Sequence, residues 1–381
     1  MKKILLLGAS GSIGIQTIDV VVNHQDKIKI VGISIGKNIK VLKEILTKIE
    51  VNYVCVSENN PELFALYPNI KFYHGEQGLL DIVTELQYDL LVNALVGFVG
   101  LKPTLKAISL KHDVALANKE TLVVAGDFVN QAVKENKVNL IPIDSEHSAI
   151  MQALMGNDIK EVNRLIITAS GGSFKNKTRE ELVNVTVEEA LKHPNWEMGA
   201  KITIDSATMM NKGFEVIEAH FLFDIPYDKI EVILHSESIV HSIVEYQDLS
   251  QMAQLSISDM RLPIQLALTY PNRLPLNGTA LDLTKLKTLN FKEMDFQRYP
   301  LLNVAYQVGK AKGNAPCILN AANEIANKAF LDNKISFLDI EFYICDALKN
   351  VKYLKNPTLE EIFEYDQITR DYVSKKIRGL E

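Results

Sequence analysis

Short apolar runs alternate with amphipathic segments along the first part of the chain. Six runs rich in aliphatic and β-branched residues have the length and composition of buried strands: 2–8, 28–35, 51–57, 89–95, 113–118 and 138–144. Helical periodicity lies between them, most clearly over 15–22, 40–49 and 102–108. Strands that alternate with helices at this spacing predict a parallel sheet with helices on both faces.

A second α/β region begins near residue 145. Its strand-like runs are 161–170, 201–206, 229–235 and 238–246. A helix is predicted over 207–223, because Met210, Phe214, Ile217 and Phe221 repeat on one face. A passage rich in Pro and Asn (270–283) then breaks the pattern, and helical periodicity dominates from about residue 300, with Pro357-Thr358 resembling a helix cap.

The length of 381 residues exceeds what one hydrophobic core usually holds, so the chain is expected to form several domains. The pattern predicts a sheet domain over 1–144, a second α/β domain over 145–270, a linker over 271–297 and a helical domain over 298–381.

Composition and charge exclude several classes of protein. Apolar residues make up 47% and charged residues 23%, which is ordinary for a globular protein, and a net charge of −6 gives no basic surface for nucleic acid. The three cysteines lie far apart without a CxxC pair, which favours a reduced, cytoplasmic protein. The apolar run at the start is too short for a signal peptide, and the stretch 90–101 contains Asn93 and two glycines, so neither predicts a membrane segment.

A glycine-rich turn follows the first predicted strand. GASGSIG (8–14) places glycines where backbone N–H groups can approach a pyrophosphate at a helix N-terminus, which favours a dinucleotide site over a ligand-free turn. The second strand leads into IGKN (35–38), where the acidic residue typical of an NAD site is absent. Lys37 and Asn38 suit a 2′-phosphate and therefore NADP, although Lys37 could also be an ordinary solvated lysine.

The segment IDSEH (143–147) concentrates reactive side chains. If it is extended, Asp144 and Glu146 point to the same side and could share Mg²⁺ or Mn²⁺. A nucleophilic Ser145 is disfavoured because the glycine elbow of such sites is missing. A helix N-cap is an equally good explanation of this segment on its own.

The predicted helix over 205–220, capped by Asp205 or Ser206, adds a polar stripe. Asn211, Glu215 and Glu218 share one face with Lys212 beside them, so a third carboxylate is available to a metal. Gly213 inside the helix costs about 1 kcal/mol relative to Ala, which indicates a close approach to the backbone.

Two loops and a strand end complete the candidate chemistry. Asn118, Lys119 and Glu120 lie at the carboxyl end of a strand, where α/β sheets bind ligands. The Ser-Gly-Gly turn after Ser170 is either an anion-binding nest or an ordinary tight turn. HPNWEMG (193–199) contains the only Trp, which could fill the core or cover a bound ligand.

Taken together, the motifs resemble the 1-deoxy-D-xylulose 5-phosphate reductoisomerase family along the whole chain. The motifs are GASGSIG (8–14), ANKE (117–120), IDSEH (143–147), ASGG (169–172), HPNWEMG (193–199), DSATMMNKGFE (205–215), DMRLPIQLAL (259–268) and LNAANEIA (319–326). The resemblance implies an N-terminal Rossmann-like parallel sheet domain that binds NADPH, a central α/β catalytic domain and a C-terminal α-helical bundle. It also implies conversion of 1-deoxy-D-xylulose 5-phosphate to 2-C-methyl-D-erythritol 4-phosphate in the non-mevalonate isoprenoid pathway, with Mg²⁺, Mn²⁺ or Co²⁺, in a homodimer.

The resemblance also implies a role for individual residues. The metal ligands would be Asp144, Glu146 and Glu215. The substrate phosphate would be held by Ser170, Ser206, Asn211 and Lys212. The sugar would contact Ser145, Glu146, Lys119 and His193, under a flap that carries Trp196 and Met198. NADPH would lie on Ser10, Gly11, Ser12, Ile13, Gly36, Lys37, Asn38, Asn118, Glu120 and Gly199.

The sequence departs from the family pattern in three places, and two other functions are alternatives to the family's reaction. Ala9-Ser10 stands in place of Ser-Thr but keeps a hydroxyl, and Ser236 and Ser258 stand where proline is expected. Another NADP-linked dehydrogenase, acting on a small phosphorylated or semialdehyde substrate, is the first alternative; the semialdehyde type needs a reactive cysteine, and none lies within these motifs. A non-catalytic NADP-binding regulator is the second, but it has no use for three carboxylates and a flap.

Overall fold

The computed structural model describes residues 1–379, which form two compact units. The first unit comprises residues 1–121, 127–148 and 259–279. The second comprises residues 122–126, 149–258 and 280 to the end of the described chain. The protein is of the α/β class, with a Rossmann-like parallel sheet, a second, mixed sheet and a C-terminal helical region.

The first unit is built on a parallel sheet that has seven strands within the described residues. Its order is β4-β3-β2-β1-β5-β6-β7. The strands are β1 (Lys2–Leu7), β2 (Ile28–Ser34), β3 (Tyr53–Val56), β4 (Lys71–His74), β5 (Leu90–Asn93), β6 (Asp113–Leu116) and β7 (Leu140–Pro142). The helices that follow them are α1 (Ser12–Val22), α2 (Ile39–Lys48), α3 (Pro61–Leu66), α4 (Gly75–Glu85), α5 (Leu101–Ser109), α6 (Lys119–Asn136) and α7 (Ser145–Leu154).

Every neighbouring pair in this sheet is parallel, which explains where the polar motifs lie. Strand β1 pairs with β2 on one side and β5 on the other, so the strand order reverses at β1. The motifs that begin at Gly8, Ile35, Ala117 and Ile143 follow β1, β2, β6 and β7 respectively. Parallel strands place their carboxyl ends on one edge, and ligands bind in the crevice at such a reversal point.

The second unit contains the mixed sheet, of order β11-β10-β8-β9-β12. Its strands are β8 (Val162–Ala169), β9 (Ile230–Leu234), β10 (Val240–Tyr246), β11 (Gln251–Leu255) and β12 (Lys292–Glu293). The remaining helices of the described chain are α8 (Val187–Ala190), α9 (Ala200–Ala207), α10 (Met210–Phe223), α11 (Arg261–Thr269, in the first unit), α12 (Pro300–Ala311), α13 (Ala315–Leu331), α14 (Asp339–Asn350) and α15 (Leu359–Ile377). None of the helices within residues 1–379 is long and apolar enough to span a membrane.

Most predicted elements are confirmed, including the terminal helices and all six strands that were predicted for the first sheet, which has seven. The cap predicted near Pro357 is also confirmed: Thr358 Oγ accepts from Glu361 N at 3.2 Å, and Glu361 Oε2 accepts from Thr358 N at 2.7 Å. Strands β4, β11 and β12 were not predicted, because Lys71–His74, Gln251–Leu255 and Lys292–Glu293 are short and mostly polar or exposed.

The strand predicted over 201–206 is wrong, because this segment is helix α9. Its alternating isoleucines suggested a strand, but the buried positions Thr203, Ile204 and Ala207 follow helical spacing. The helix predicted over 205–220 accordingly begins later, at Met210, after Met209 adopts a left-handed conformation with φ of 65°. Asp205 and Ser206 therefore lie inside α9 and do not cap α10.

Gly213 lies where helix α10 packs against helix α12. A Cβ atom at Gly213 would lie 2.5 Å from the Cβ atom of Ala305, which is closer than van der Waals contact allows. The close approach expected from the sequence therefore exists, and the neighbour is another helix of the same unit.

We predict that Gly213→Ala destabilises the protein although alanine favours helices. Helix propensity alone would stabilise the variant by about 1 kcal/mol, but overpacking of a core contact costs about 1–3 kcal/mol. The free energy of unfolding, measured by urea denaturation, should fall. Adding Ala305→Gly should restore part of the loss, with Ala305→Gly alone as control. A stabilised single variant, or a double variant less stable than either single one, would contradict this explanation.

Candidate functional site

The glycine-rich turn of the first unit joins β1 to the N-terminus of α1. Gly11 occupies the N-cap position with extended backbone, and Ser12 and Ile13 form the first helical turn. A Cβ at Gly14 would lie 2.2 Å from the carbonyl oxygen of Gly8, so the turn packs directly on the helix. The first N–H groups of a helix have no partner within it and lie at its positive end, which suits a phosphate.

The loop after β2 lies beside this turn. Gly36 N donates to Ser10 Oγ at 3.4 Å, and Asn38 Oδ1 accepts from Val41 N at 3.4 Å as the N-cap of α2. Lys37 is exposed, and its Nζ lies 2.6 Å from Glu58 Oε1. The hydrogen bond to Glu58 raises the pKa of Lys37, so the side chain is cationic at neutral pH. Exposed pairs of this kind contribute little stability, so a phosphate can replace Glu58 at small cost.

Asn118 is buried at the start of α6, and its side chain is occupied within the protein. Its Nδ2 donates to the carbonyl oxygens of Leu95 and Gly97, both at 2.9 Å, and lies 3.2 Å from Glu120 Oε2. Its Oδ1 accepts from Thr121 N at 3.1 Å. Asn118 therefore links the loop that follows β5 to the segment that follows β6. Glu120 is buried beside it and contacts its amide.

The segment IDSEH is not extended: helix α7 begins at Ser145, so the predicted extended geometry for Asp144 and Glu146 is wrong. The Asp144 carbonyl accepts from Ser148 N at 2.8 Å, and Asp144 Oδ1 accepts from Ser145 N at 3.1 Å. These bonds satisfy N–H groups of the first helical turn, as the capping interpretation required. The five residues of the motif are too few to show a helical repeat, so the sequence alone did not reveal that the helix begins inside it.

Asp144 is also part of an ion pair. Its Oδ2 lies 2.8 Å from Lys119 Nζ, and both side chains are largely buried. Ser145 Oγ donates to Glu146 Oε2 at 2.5 Å, and His147 Nδ1 lies 3.8 Å from Asp144 Oδ2. The Ser145 hydroxyl therefore donates to a carboxylate and not to an imidazole, which is a further argument against a nucleophilic serine.

The polar stripe of α10 brings three predicted residues together in the second unit. Glu215 is 1% exposed, and its two carboxylate oxygens accept from Asn211 Nδ2 and Lys212 Nζ, both at 2.5 Å. Lys212 is itself 5% exposed, and Glu218 is buried one turn further along the same helix. A buried carboxylate is costly unless it is paired, and these contacts supply the pairing and fix the orientation of Glu215.

Ser170 and His193, which the sequence assigned to different parts of the substrate, are in direct contact. His193 Nδ1 accepts from the backbone N–H groups of Asn195 and Trp196, at 3.2 and 3.0 Å. Nδ1 therefore carries a lone pair, and the neutral ring must donate its Nε2 hydrogen to Ser170 Oγ, 3.1 Å away. Burial, assisted by the charge of Lys175, lowers the pKa of His193 to about 4.

The loop that carries Trp196 and Met198 is anchored on the mixed sheet. Asn195 Nδ2 donates to Ser236 O at 2.7 Å and to Ser238 Oγ at 2.8 Å. The Trp196 ring lies 6.0 Å from that of His241 and is only partly buried, so it does not fill the core. Gly199 ends this loop as the N-cap of α9.

Ser206 lies on α9, next to the Ser-Gly-Gly turn. A Cβ at Gly172 would lie 2.6 Å from Ser206 O, so the turn and the helix backbone are in direct contact. Ser170 and Ser206 are therefore neighbours through this packing. Asp205 beside Ser206 is buried and bonded to Asn323 and Asn327 of α13. No local pattern signals that interaction, because Asn323 and Asn327 lie more than a hundred residues further along the chain than Asp205.

Comparison with protein families gives one consistent result across the chain. Residues 4–126 match the 1-deoxy-D-xylulose 5-phosphate reductoisomerase family, residues 140–223 match its C-terminal domain family, and residues 255–372 match a DXP reductoisomerase C-terminal domain. A relative from Geobacillus sp. (strain WCH70), a 1-deoxy-D-xylulose 5-phosphate reductoisomerase, is 54% identical over 98% of this chain and 99% of its own. The corresponding protein of Bacillus subtilis (strain 168) is 54% identical over 98% and 99%.

Solved structures give the same result. A crystal structure of DOX-P reductoisomerase in complex with NADPH, fosmidomycin and magnesium has a TM-score of 0.95 at 36% identity, covering 99% of this chain and 98% of that one. The 1-deoxy-D-xylulose 5-phosphate reductoisomerase from Zymomonas mobilis, in complex with NADPH, has a TM-score of 0.91 at 38% identity and covers all of both chains.

We predict that His193 stays neutral throughout the neutral pH range. Because its pKa in the folded state, about 4, lies below the ordinary value of 6.5, only the unfolded chain takes up this proton between those pH values. Stability therefore falls as the pH is lowered from about 6.5 towards 4. In NMR spectra the His193 ring signals, assigned with His193→Gln, should not titrate between pH 8 and 5.5. A titration midpoint near 6.5 would refute the assigned tautomer and its neutral state.

Proposed function

Because the chain belongs to the 1-deoxy-D-xylulose 5-phosphate reductoisomerase family, we propose which of its side chains perform that family's reaction. The protein is an enzyme with 1-deoxy-D-xylulose 5-phosphate reductoisomerase activity in the non-mevalonate isoprenoid pathway, and it is NADP-linked and metal-binding. The observation on which the residue assignment mainly rests is Glu215, a buried carboxylate held by Asn211 and Lys212.

The cofactor is proposed to bind along the carboxyl edge of the parallel sheet. The pyrophosphate would lie on Ser10, Gly11, Ser12 and Ile13 at the N-terminus of α1, with Gly36 beside them. Lys37 and Asn38 would contact the 2′-phosphate. Asn118 and Glu120 would act mainly by holding the loop after β5, since the Asn118 side chain is already bonded. NADPH supplies a hydride when bound.

The metal is proposed to bind Asp144, Glu146 and Glu215. Each of these residues offers a carboxylate oxygen, and such a donor set fits Mg²⁺ or Mn²⁺ better than a soft metal. A bound divalent cation polarises carbonyl and hydroxyl oxygens as a Lewis acid. Lys119 beside Asp144 and Lys212 beside Glu215 pair with these carboxylates and orient them.

The substrate phosphate is proposed to bind Ser170, Ser206, Asn211 and Lys212. Ser170 Oγ accepts from His193 Nε2 and from Gly172 N, so its own O–H can be donated to an anion. Lys212 supplies the positive charge. Binding energy from this non-reacting end of the substrate can be used to orient the reacting end.

The sugar part is proposed to contact Lys119, Ser145, Glu146 and His193. The neutral state of His193 favours an orienting role over proton transfer, because an imidazole with a pKa of about 4 is a weak base at neutral pH. Trp196 and Met198 would cover the substrate and exclude water from a reactive carbonyl. Gly199, which follows this loop, would reach the cofactor.

The three cysteines argue against a semialdehyde dehydrogenase, which requires a thiolate nucleophile. Burial raises the pKa of Cys55 to about 12 and that of Cys317 well above the ordinary value, and it also raises the pKa of Cys345. All three are therefore thiols at neutral pH. A non-catalytic NADP-binding regulator is disfavoured because it would gain nothing from burying Glu215 and Lys212 together.

Domain roles, partner and location complete the proposal. Residues 1–144 would bind NADPH, 145–270 would form the catalytic domain, 271–297 would link it to the rest, and 298–381 would form the helical domain. A homodimer is proposed from the family resemblance. A cytoplasmic location is proposed from the three scattered free cysteines. Sedimentation equilibrium of the purified chain tests the dimer.

We predict that the purified protein oxidises NADPH only when both 1-deoxy-D-xylulose 5-phosphate and a divalent metal are present. Chelation should abolish turnover, and Mg²⁺ or Mn²⁺ should restore it, because the proposed ligands are carboxylates. NADPH absorbance at steady state is the measurement. Turnover that survives complete chelation would refute the metal site.

Glu215→Gln is the matched variant for this assay. It keeps the shape of the side chain but removes the charge, so activity should fall at least a hundredfold, about the loss seen when one transition-state contact is removed. The dissociation constant for NADPH, measured by fluorescence titration, should change less than twofold. A comparable loss of NADPH affinity would contradict the assignment of Glu215 to the metal.

We predict that Lys37→Gln weakens NADPH binding about tenfold, as expected for loss of roughly 1.4 kcal/mol from one charge-assisted contact. NADH lacks the 2′-phosphate, so its dissociation constant should not change. Glu58→Gln serves as the control, because it frees Lys37 and should leave NADPH binding equal or tighter. Equal losses for both nucleotides would contradict a 2′-phosphate contact.

A further inference from the structure

Asp205 is a buried carboxylate on α9 that the proposed chemistry does not use. It is 2% exposed, and its Oδ1 accepts from Asn323 Nδ2 at 2.8 Å and from Asn327 Nδ2 at 2.9 Å. Its Oδ2 lies 2.9 Å from Lys201 Nζ, one turn earlier on the same helix. Bonds to a charged acceptor are stronger than neutral ones, and a buried carboxylate that loses its donors is strongly destabilised.

The same contacts connect α9 to two neighbouring helices. Asn327 Nδ2 also donates to the carbonyl oxygen of Lys201 at 3.1 Å, so α13 contacts both the backbone and a side chain of α9. Lys201 Nζ lies 5.6 Å from the centre of the Phe214 ring on α10. Helix α9 is thus fixed to α13 and α10 through one charged pair, which we call the Asp205 clamp: Asp205, Lys201, Asn323 and Asn327.

Helix α9 needs such an anchor because its own ends provide little. A helix of eight residues is marginal without tertiary contacts. Its N-cap, Gly199, is exposed and follows an irregular loop, and its C-terminal end passes into the left-handed Met209. Ser206, which immediately follows Asp205, is therefore held by the clamp beside it, by the contact with Gly172 and by the buried Ile204 and Ala207 of the same helix.

We propose that Asn323 and Asn327 are positioning residues for the substrate phosphate. Through Asp205 they hold Ser206 in place relative to Asn211 and Lys212, which begin the next helix. This inference rests on the proposed phosphate site. The two amides lie about 120 residues further along the chain than Asp205, so the helical C-terminal region contributes to substrate binding without contacting the substrate.

The test compares Asn323→Ala, Asn327→Ala and their double variant with Asn320→Ala. Asn320 lies on the same helix and is equally buried, but its amide donates to Glu324 and not to Asp205. We expect the KM for the sugar phosphate to rise about tenfold or more in the double variant, as for loss of one strong contact to the phosphate. The KM for NADPH should stay within twofold. Inorganic phosphate, as a competitive inhibitor, should lose affinity by the same factor.

Asn320→Ala should lower the melting temperature but leave the KM for the sugar phosphate unchanged. If it raises that KM as much as the double variant does, the effect is general destabilisation and the proposal is wrong. Asp205→Asn preserves the shape of the clamp, so it should raise the KM less than Asp205→Ala does. This pair also provides the test if the double asparagine variant does not fold, and equal effects of the two substitutions would overturn the proposal.

Ser206→Ala separates this inference from the proposed phosphate site. A raised KM in Ser206→Ala together with an unchanged KM in the double asparagine variant would overturn the positioning role and leave the site intact. An unchanged KM in Ser206→Ala would refute the assignment of Ser206, and the positioning role with it.

Discussion

The pairing of buried carboxylates with lysine and amide donors constrains the rest of this structure. Asp144 pairs with Lys119, Glu215 with Lys212 and Asn211, and Asp205 with Lys201 and two asparagines. A carboxylate removed from water must be compensated or protonated, so each of these residues fixes the position of its partners. Within its own unit, each pair therefore holds the helices and turns that carry it in place.

Buried ion pairs of this kind are weak evidence for stability. Their desolvation cost often equals or exceeds the Coulombic gain, and well-packed apolar residues of similar volume frequently do as well or better. An account based on stability alone thus leaves Glu215 and Lys212 unexplained. Preorganisation explains them better, because a site that already holds its charges in place needs little reorganisation when substrate charge arrives.

Much of the fold could be predicted from the sequence, because the parallel sheet depends on local patterns. Buried strands read as continuous apolar runs, and the motifs after Leu7, Ser34 and Leu116 follow from strand direction alone. Helix α9 could not be predicted in this way. Its isoleucines alternate as in a strand, and the helix is stabilised by contacts of Asp205 with residues more than a hundred positions away.

In the candidate site too, local sequence patterns predicted some features, and contacts between distant parts of the chain determined the others. The residue types at Asp144 and Glu146 indicated oxygen ligands. The amphipathic pattern placed Asn211 and Glu215 on one stripe with Lys212 beside it, and the hydrogen bonds of Glu215 to both residues confirm this. The helical start at Ser145 and the tautomer of His193 depend on backbone N–H groups, which side-chain patterns do not report. The role of Gly213 likewise depends on Ala305, a partner on another helix.

The positions of all the proposed phosphate ligands depend on helix α9. Its C-terminal half carries Asp205 and Ser206, and the left-handed Met209 that follows sets the start of α10 and hence the positions of Asn211, Lys212 and Glu215. On its other side, the backbone at Ser206 packs against the Ser170 turn, which His193 holds through Nε2. A displacement of α9 would therefore disturb every proposed phosphate ligand at once. The hydrogen bonds between Asp205 of α9 and α13 lie next to Ser206, so a small shift of this part of the helix would act directly on a proposed phosphate ligand.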